Sequence, residues 1–305
     1  MTISDLTADQ VKRYFAHIEL PDRFRSDKGP NLDFDFLASI QKHHITKIPY
    51  ENIALHYNNI PYISLDVSDI YHKFVERGRG GYCMENNIFL HHVLRFLGFQ
   101  VYLTGARLFR DSTSPNPGWS GWEHAVNIIT LADRTQYIMD VGYGGDGPTA
   151  PLPLTADKVT PNIGTQELRL LYGTMPGLLE DQQNLWTYQF RNGIDQPWKS
   201  AYAFYEIQFF RSDFEIMNLY TSRSPSCFLT SKLLAIKFLR AEEDVFGKVI
   251  LEGEKFKNNL GGKNWLMKTC QTEQERVEGL HEHFGISLTE EERAGILDKK
   301  SALPM

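Results

Sequence analysis

The chain reads as an α+β protein, and three observations carry that reading. Residues 1–103 repeat apolar side chains at helical spacing; residues 104–220 alternate apolar and polar positions between turn residues; residues 221–305 mix short strands with a final helix. No internal repeat or low-complexity stretch is present.

In the first part, Ser4-Asp5-Leu6-Thr7 offers caps for a helix carrying Val11, Tyr14, Phe15 and Ile18 on one face and ending before Pro21. A second helix is expected from about Leu32 to His44, with Phe34, Leu37, Ile40 and Ile45 toward the core. Pro49 and Pro61 interrupt, and Ser68 to Val75 makes a short helix. The run Arg77-Gly78-Arg79-Gly80-Gly81 then forces a loop with unusual backbone angles. Ile88, Phe89, Val93, Leu94, Phe96 and Leu97 resume helical spacing as far as Gly98. Cys83 therefore stands at or near the N-terminus of a buried helix, where unpaired N–H groups and the helix dipole favour a thiolate.

In the second part, Val101–Leu103, His124–Thr130 and Gln136–Val141 read as strands, with Ser112–Gly121 a loop and Ala132–Thr135 a hairpin link. Further strands fall at Glu167–Tyr172, Trp186–Arg191 and Ala201–Phe204, and a sheet or barrel follows. Met175–Pro197 reads as a solvent-exposed excursion. In the third part, strands are expected at Phe228–Phe238 and Lys248–Leu251. A helix striped by Gln274, Val277, Leu280 and Phe284 comes next, and another begins at Thr289.

Composition narrows the function. A net charge of -6 without a basic block excludes nucleic acid as the main partner, and no run approaches the roughly 20 apolar residues that cross a bilayer. Without a basic-then-apolar leader, and with three scattered cysteines (Cys83, Cys227, Cys270), the expected compartment is the cytosol; neither a disulfide framework nor a zinc ribbon fits.

If Ala132–Thr135 closes a hairpin, His124 and Asp140 fall on adjacent antiparallel strands at similar height. A carboxylate there fixes the imidazole tautomer and raises its basicity. With Cys83 this supplies nucleophile, base and orienter. Each alone has a plain structural reading; the three together point to chemistry.

These residues also carry a resemblance. Arg79-Gly80-Gly81-Tyr82-Cys83-Met84-Glu85-Asn86-Asn87 resembles the cysteine signature of the arylamine N-acetyltransferases. Ile48-Pro49-Tyr50-Glu51-Asn52-Ile53, Trp122-Glu123-His124, Asp140-Val141-Gly142-Tyr143-Gly144, Asp213–Asn218 and Ser224–Phe228 resemble further family stretches, in order. The resemblance implies an N-terminal helical bundle (1–103), a central β-barrel (104–220, with an insertion at about 175–197 of eukaryotic type) and a C-terminal α/β lid (221–305). It also implies a cysteine-protease-like Cys83–His124–Asp140 core. The implied reaction is ping-pong transfer of an acetyl or related acyl group from coenzyme A to an arylamine, arylhydroxylamine or hydrazine, without metal. By position, Ser120, Gly121, Gly142, Gly144, Tyr220 and Ser226 match coenzyme-A-contacting places. No counterpart of the family's C-terminal tail is recognised in Lys299–Met305.

Tyr82, Phe109, Tyr143, Tyr220 and Phe228 are candidates to line an aromatic pocket. Arg79 invites a pyrophosphate role, but its glycine setting favours a structural arginine bound to loop carbonyls or Glu51. The competing readings are a transglutaminase- or papain-like enzyme acting on amides, and a non-catalytic binding domain.

Overall fold

The computed structural model describes residues 5–25, 30–114, 116–175, 183–297 and 299–304. The first helix, α1 (Ala8–His17), opens on a capping box between Thr7 and Gln10 and buries Val11, Tyr14 and Phe15. Asp33 caps α2 (Phe34–Lys47) through the Phe36 amide. Phe36, Leu37 and Ile40 enter the core, whereas Phe34, expected there, is 41% exposed and rests on the Tyr137 ring at the helix start. A two-residue strand, β1 (Tyr50–Glu51), precedes α3 (Ile53–His56) and α4 (Val67–Tyr71). One π-helical turn, His72–Glu76, leads into the glycine loop and then α5 (Cys83–Leu97), which Gly98 ends at φ 95° in the left-handed region.

The strands of the second part run β2 (Gln100–Arg110), β3 (Gly118–Thr130), β4 (Gln136–Met139), β5 (Leu152–Pro153), β6 (Thr160–Pro161), β7 (Glu167–Gly173), β8 (Leu185–Arg191) and β9 (Lys199–Phe204). They form one antiparallel sheet in the order β5-β4-β3-β2-β9-β8-β7-β6. After β5 the chain crosses to the far edge, where Asp157 N–H donates to Leu170 O at 2.8 Å, so the sheet nearly closes into a barrel. Val126, Ile128, Ile138, Leu168, Leu170 and Phe204 fill it. The expected loop at Ser112–Gly121 is shorter than read, because β3 already begins at Gly118. Within the expected excursion at 175–197, Leu185–Arg191 is an interior strand of the sheet, alternating inward Trp186, Tyr188 and Phe190. Residues 176–182 lie outside the described residues.

The chain continues through α6 (Arg211–Arg223), α7 (Phe228–Ser231), β10 (Leu234–Ala241), β11 (Asp244–Glu252), β12 (Lys255–Leu260), β13 (Lys263–Thr269), α8 (Glu273–Phe284) and α9 (Glu290–Ala294). The strand expected over Phe228–Phe238 is a helical turn followed by β10; the apolar run alone did not mark the break. A five-stranded sheet, β1-β10-β11-β12-β13, takes its first strand from the helical part of the chain. Val277, Leu280 and Phe284 of α8 pack with Phe256 on it, while Gln274, expected in that stripe, faces outward. Among the described residues, no helix is long and apolar enough to cross a membrane.

Arg79 fixes the glycine loop to both neighbours. Its Nε and Nη2 donate to Glu51 Oε1 at 3.3 and 3.1 Å, and Nη1 donates to Glu292 Oε1 at 2.8 Å. The side chain is only 3% exposed, which agrees with the structural reading of this arginine. Gly80 is obligatory beside it, since a Cβ would lie 1.8 Å from Pro49 O. Arg79→Met strands two carboxylates, and urea unfolding should show a loss of about 3–5 kcal/mol. Undiminished stability with a raised KM for the donor would instead make Arg79 a ligand contact.

Candidate active site

The glycine loop is tied off by the helix it precedes. Glu85 accepts the Tyr82 N–H at 3.1 Å, and Asn86 Nδ2 donates to Gly81 O at 2.5 Å. Cys83 is thereby set as the first residue of α5, with its thiol donating to Glu123 O at 3.5 Å. One turn further on, Asn87 Nδ2 donates to Ala125 O at 2.7 Å and to Asp140 Oδ1 at 2.9 Å, while its Oδ1 accepts from Val141 N–H at 3.1 Å. The turn after Asp140 lies against the helix start: a Cβ on Gly142 would stand 2.7 Å from Cys83 Cα. Glycine is required there by close approach.

His124 Nε2 and Asp140 Oδ2 are 2.7 Å apart, both buried. The expected hairpin brings them together: Asn127 pairs with Met139 and Thr130 with Gln136, and Leu131 and Thr135 close the turn. The β2–β3 register slips between Ala106 opposite His124 and Arg107 opposite Trp122, leaving Glu123 as the extra residue of a bulge. Two consecutive residues, Glu123 and His124, consequently line one cleft, where an unbroken strand would turn them apart.

Charge in this site follows burial and partners. Burial pushes the Asp140 carboxyl up; the facing His124, its hydrogen bond, and those from Asn87 and Gly142 N–H overcome that and hold it below the usual carboxylate range. Burial pushes the Cys83 thiol well up, the negative charge of Asp140 and the nearby Cys227 add to this, and the Met84 N–H opposes it. The helix terminus, expected to favour a thiolate, is outweighed by desolvation. The Glu123 carboxyl is also raised by burial, against the pull of Arg110, whose guanidinium pairs with it at 2.5 Å.

Cys83 and His124 line a cleft of about 660 Å³. Of the positions singled out for coenzyme A, Gly142 and Ser226 line it too. Ser120 instead spends its hydroxyl on Leu108 N–H at 2.9 Å and on Gly121 O at 2.7 Å. Gly121 and Tyr220 line a separate groove, and Gly144, at φ 90°, sits behind the site near Tyr50 and Ile236. Among the aromatic candidates, Phe109, Tyr143 and Phe228 line the cleft; Tyr82 is buried, with its hydroxyl 3.1 Å from Thr221 Oγ1. Sequence reasoning gave no place on the cleft wall to Arg110 and Asp146, nor to Tyr50, Glu123 and Cys227, which it met only inside the quoted motifs. Glu123 was out of reach because a bulge breaks the alternation that sorts strand faces.

A helical part, a nearly closed eight-stranded sheet and a five-stranded sheet together make a fold shared with solved N-acetyltransferases. The Mycobacterium abscessus arylamine N-acetyltransferase superposes with a TM-score of 0.79 over 95% of this chain and 94% of that one, at 24% identity. The Mycobacterium marinum enzyme in complex with CoA does so at 0.76, over 94% and 98%, at 22% identity. In sequence, the N-malonyltransferase FDB2 of Fusarium pseudograminearum is 32% identical over 95% of this chain and 92% of its own length. The arylamine N-acetyltransferase 2 of Rattus norvegicus is 28% identical over 91% and 94%. The N-acetyltransferase family model matches residues 33–293, and the chain belongs to the arylamine N-acetyltransferase family.

Because the folded pKa of Asp140 is depressed, its stabilising contribution is complete above the ordinary carboxylate value of about 3.9 and is lost as pH falls through its lower folded value. Asp140→Asn should flatten the acid limb of a stability–pH curve below about pH 4. An unchanged acid limb would show that the carboxylate is not held ionised.

Proposed function

We propose that this protein is an acyl-CoA-dependent N-acyltransferase working through an acyl-cysteine on Cys83. The observation that carries the reading is the 2.7 Å His124–Asp140 pair, whose histidine lines the cleft that Cys83 opens onto. An ionised Asp140 accepts from Nε2–H, which leaves the lone pair of a neutral His124 on Nδ1, the nitrogen available to act as base. The proton of the buried Cys83 thiol passes to that nitrogen as sulfur attacks the thioester carbonyl. The C–S bond to coenzyme A breaks, and the departing thiolate takes the proton back from His124. The neutral aromatic amine then attacks the acyl-cysteine and gives a proton to His124; the C–S bond to Cys83 breaks as the amide forms, and the sulfur takes that proton back as a thiol. A thioester is already activated, so a nucleophile and managed protons suffice. Backbone N–H groups at the start of α5 and in Trp119–Glu123 are the candidate oxyanion donors.

Phe109, Tyr143 and Phe228 give the cleft aromatic walls suited to an aryl acceptor. Membership of the family favours this thioester chemistry over action on amides. Acetyl is the first donor reading. A carboxylated acyl group such as malonyl is the second, supported by the N-malonyltransferase relative and by the Arg110 guanidinium in the cleft wall.

Intact-protein mass spectrometry after exposure to acetyl-CoA or malonyl-CoA should show one acyl adduct, absent from Cys83→Ser, and the preferred donor should have the larger kcat/KM with an arylamine. An adduct mapping to Cys227 or Cys270 would refute the assignment.

A further inference from the structure

An acyl group that reaches Cys83 meets one charged pair at close range. The Cys83 thiol donates to Glu123 O at 3.5 Å, so residue 123 is the sulfur's immediate neighbour on the barrel side. The bulge between β2 and β3 turns the Glu123 side chain into the same cleft as His124. There its Oε2 accepts from Arg110 Nη2 at 2.5 Å, with the carboxylate side chain 4% and the guanidinium side chain 18% exposed. Among the described residues, Arg110 is the one guanidinium or ammonium group on the cleft lining, against the carboxylates of Asp111, Glu123 and Asp146.

The other two carboxylates have partners of their own. Asp111 Oδ1 accepts from the Thr113 N–H at 2.9 Å and from Thr113 Oγ1 at 2.6 Å. Asp146 Oδ1 accepts from Gln166 Nε2 at 3.0 Å and lies 3.4 Å from Lys248 Nζ. What an incoming acyl group finds beside Cys83 is therefore an ion pair without net charge. Arg110 pulls the Glu123 carboxyl down against burial, and Glu123 in turn neutralises the guanidinium. A second carboxylate brought in beside Glu123 sets two like charges against one cation, which disfavours the ionised form of both. An acetyl group, or any uncharged acyl, meets no such repulsion.

Arg110 taken alone favours a carboxylated acyl group; Arg110 held by Glu123 favours the reverse. Specificity of this kind comes from the repulsive element as much as from the attractive one. We infer that Glu123 is a donor-selecting residue: by neutralising Arg110 it reserves the sulfur of Cys83 for uncharged acyl groups and turns away carboxylated ones such as malonyl. This rests on the acyl-cysteine reading above and decides between its two donors. The covalent step is the same for either donor. The acyl carbon exchanges its bond to the coenzyme A sulfur for one to Cys83, and the Cys83 proton leaves on coenzyme A.

The test exposes the full chain to equimolar acetyl-CoA and malonyl-CoA and reads the two adducts on Cys83 by intact-protein mass spectrometry at early times. Both adducts form on the same molecules, so any loss of folded protein in a variant cancels from their ratio. The unaltered chain should carry mostly acetyl. Glu123→Gln keeps the shape of the side chain and frees the Arg110 charge. The malonyl-to-acetyl ratio should then rise by roughly tenfold or more, since a charge-assisted hydrogen bond is worth about such a factor. Adding Arg110→Leu to Glu123→Gln should abolish the rise, an outcome that a merely structural Glu123 does not produce. Mostly malonyl on the unaltered chain, a ratio unmoved by Glu123→Gln, or a rise that persists without Arg110 would each overturn the inference while leaving the acyl-cysteine intact. No adduct on Cys83 from either donor would overturn the parent reading, and this one with it.

Discussion

A single buried carboxylate holds the two halves of the candidate active site in register. Asp140 takes one hydrogen bond from His124, one from Asn87 and one from the Gly142 N–H. Asn87 belongs to α5, the helix of Cys83, and His124 to the barrel. Burying an anion is costly, and here each oxygen has donors that lower the cost. The same contacts that keep Asp140 ionised also set the distance between α5 and β3. Orientation of the histidine and docking of the helical part on the barrel are therefore one problem with one solution. Asn87 sits one helical turn beyond Cys83, so its grip on Ala125, Asp140 and Val141 also fixes where the sulfur-bearing end of the helix lies.

Much of this was legible from the amino-acid order. The apolar spacing that ends at Gly98 located the helix start, and the hairpin signal at Ala132–Thr135 was enough to bring His124 and Asp140 to similar height on neighbouring strands. Arg79 was read as structural because glycines around an arginine leave its guanidinium to bond the loop itself, and Glu51 and Glu292 now fill that role. The illegible parts share a cause. β12 and β13 are half-exposed strands rich in Lys and Asn, with no apolar alternation to announce them. α6 was hidden because its outward face carries Ile216 and Leu219, which blurs the contrast between buried and solvent faces. For Cys83 the sequence shows the helix terminus but not the depth of burial, which pushes the thiol up.

The C-terminal residues show how the third part is fastened. Glu273 N–H donates to Pro304 O at 2.8 Å, and Glu273 accepts from Leu303 N–H at 2.7 Å, while Ala302 and Leu303 pack on the second core. Lys299–Met305 offered no recognisable counterpart in sequence, yet residues 299–304 lie against α8 and help to wall a cavity beside α7. A short polar tail gives no periodicity, so its docking is written only in tertiary contacts.

The edge strand β1 couples the order of synthesis to the order of assembly. It pairs with β10, bringing Tyr50 opposite Ile236 and Glu51 opposite Ala235, a separation of nearly two hundred positions along the chain. Because β1 precedes β10 by so many residues, its ladder can form only once the chain through β10 is present. The sheet's four sequential strands form through local hairpins, so the β1–β10 ladder is the step that carries the large loop-closure cost. A fragment beginning after the barrel would therefore expose an unpaired β10 edge, inviting association between chains where the whole protein supplies its own cover.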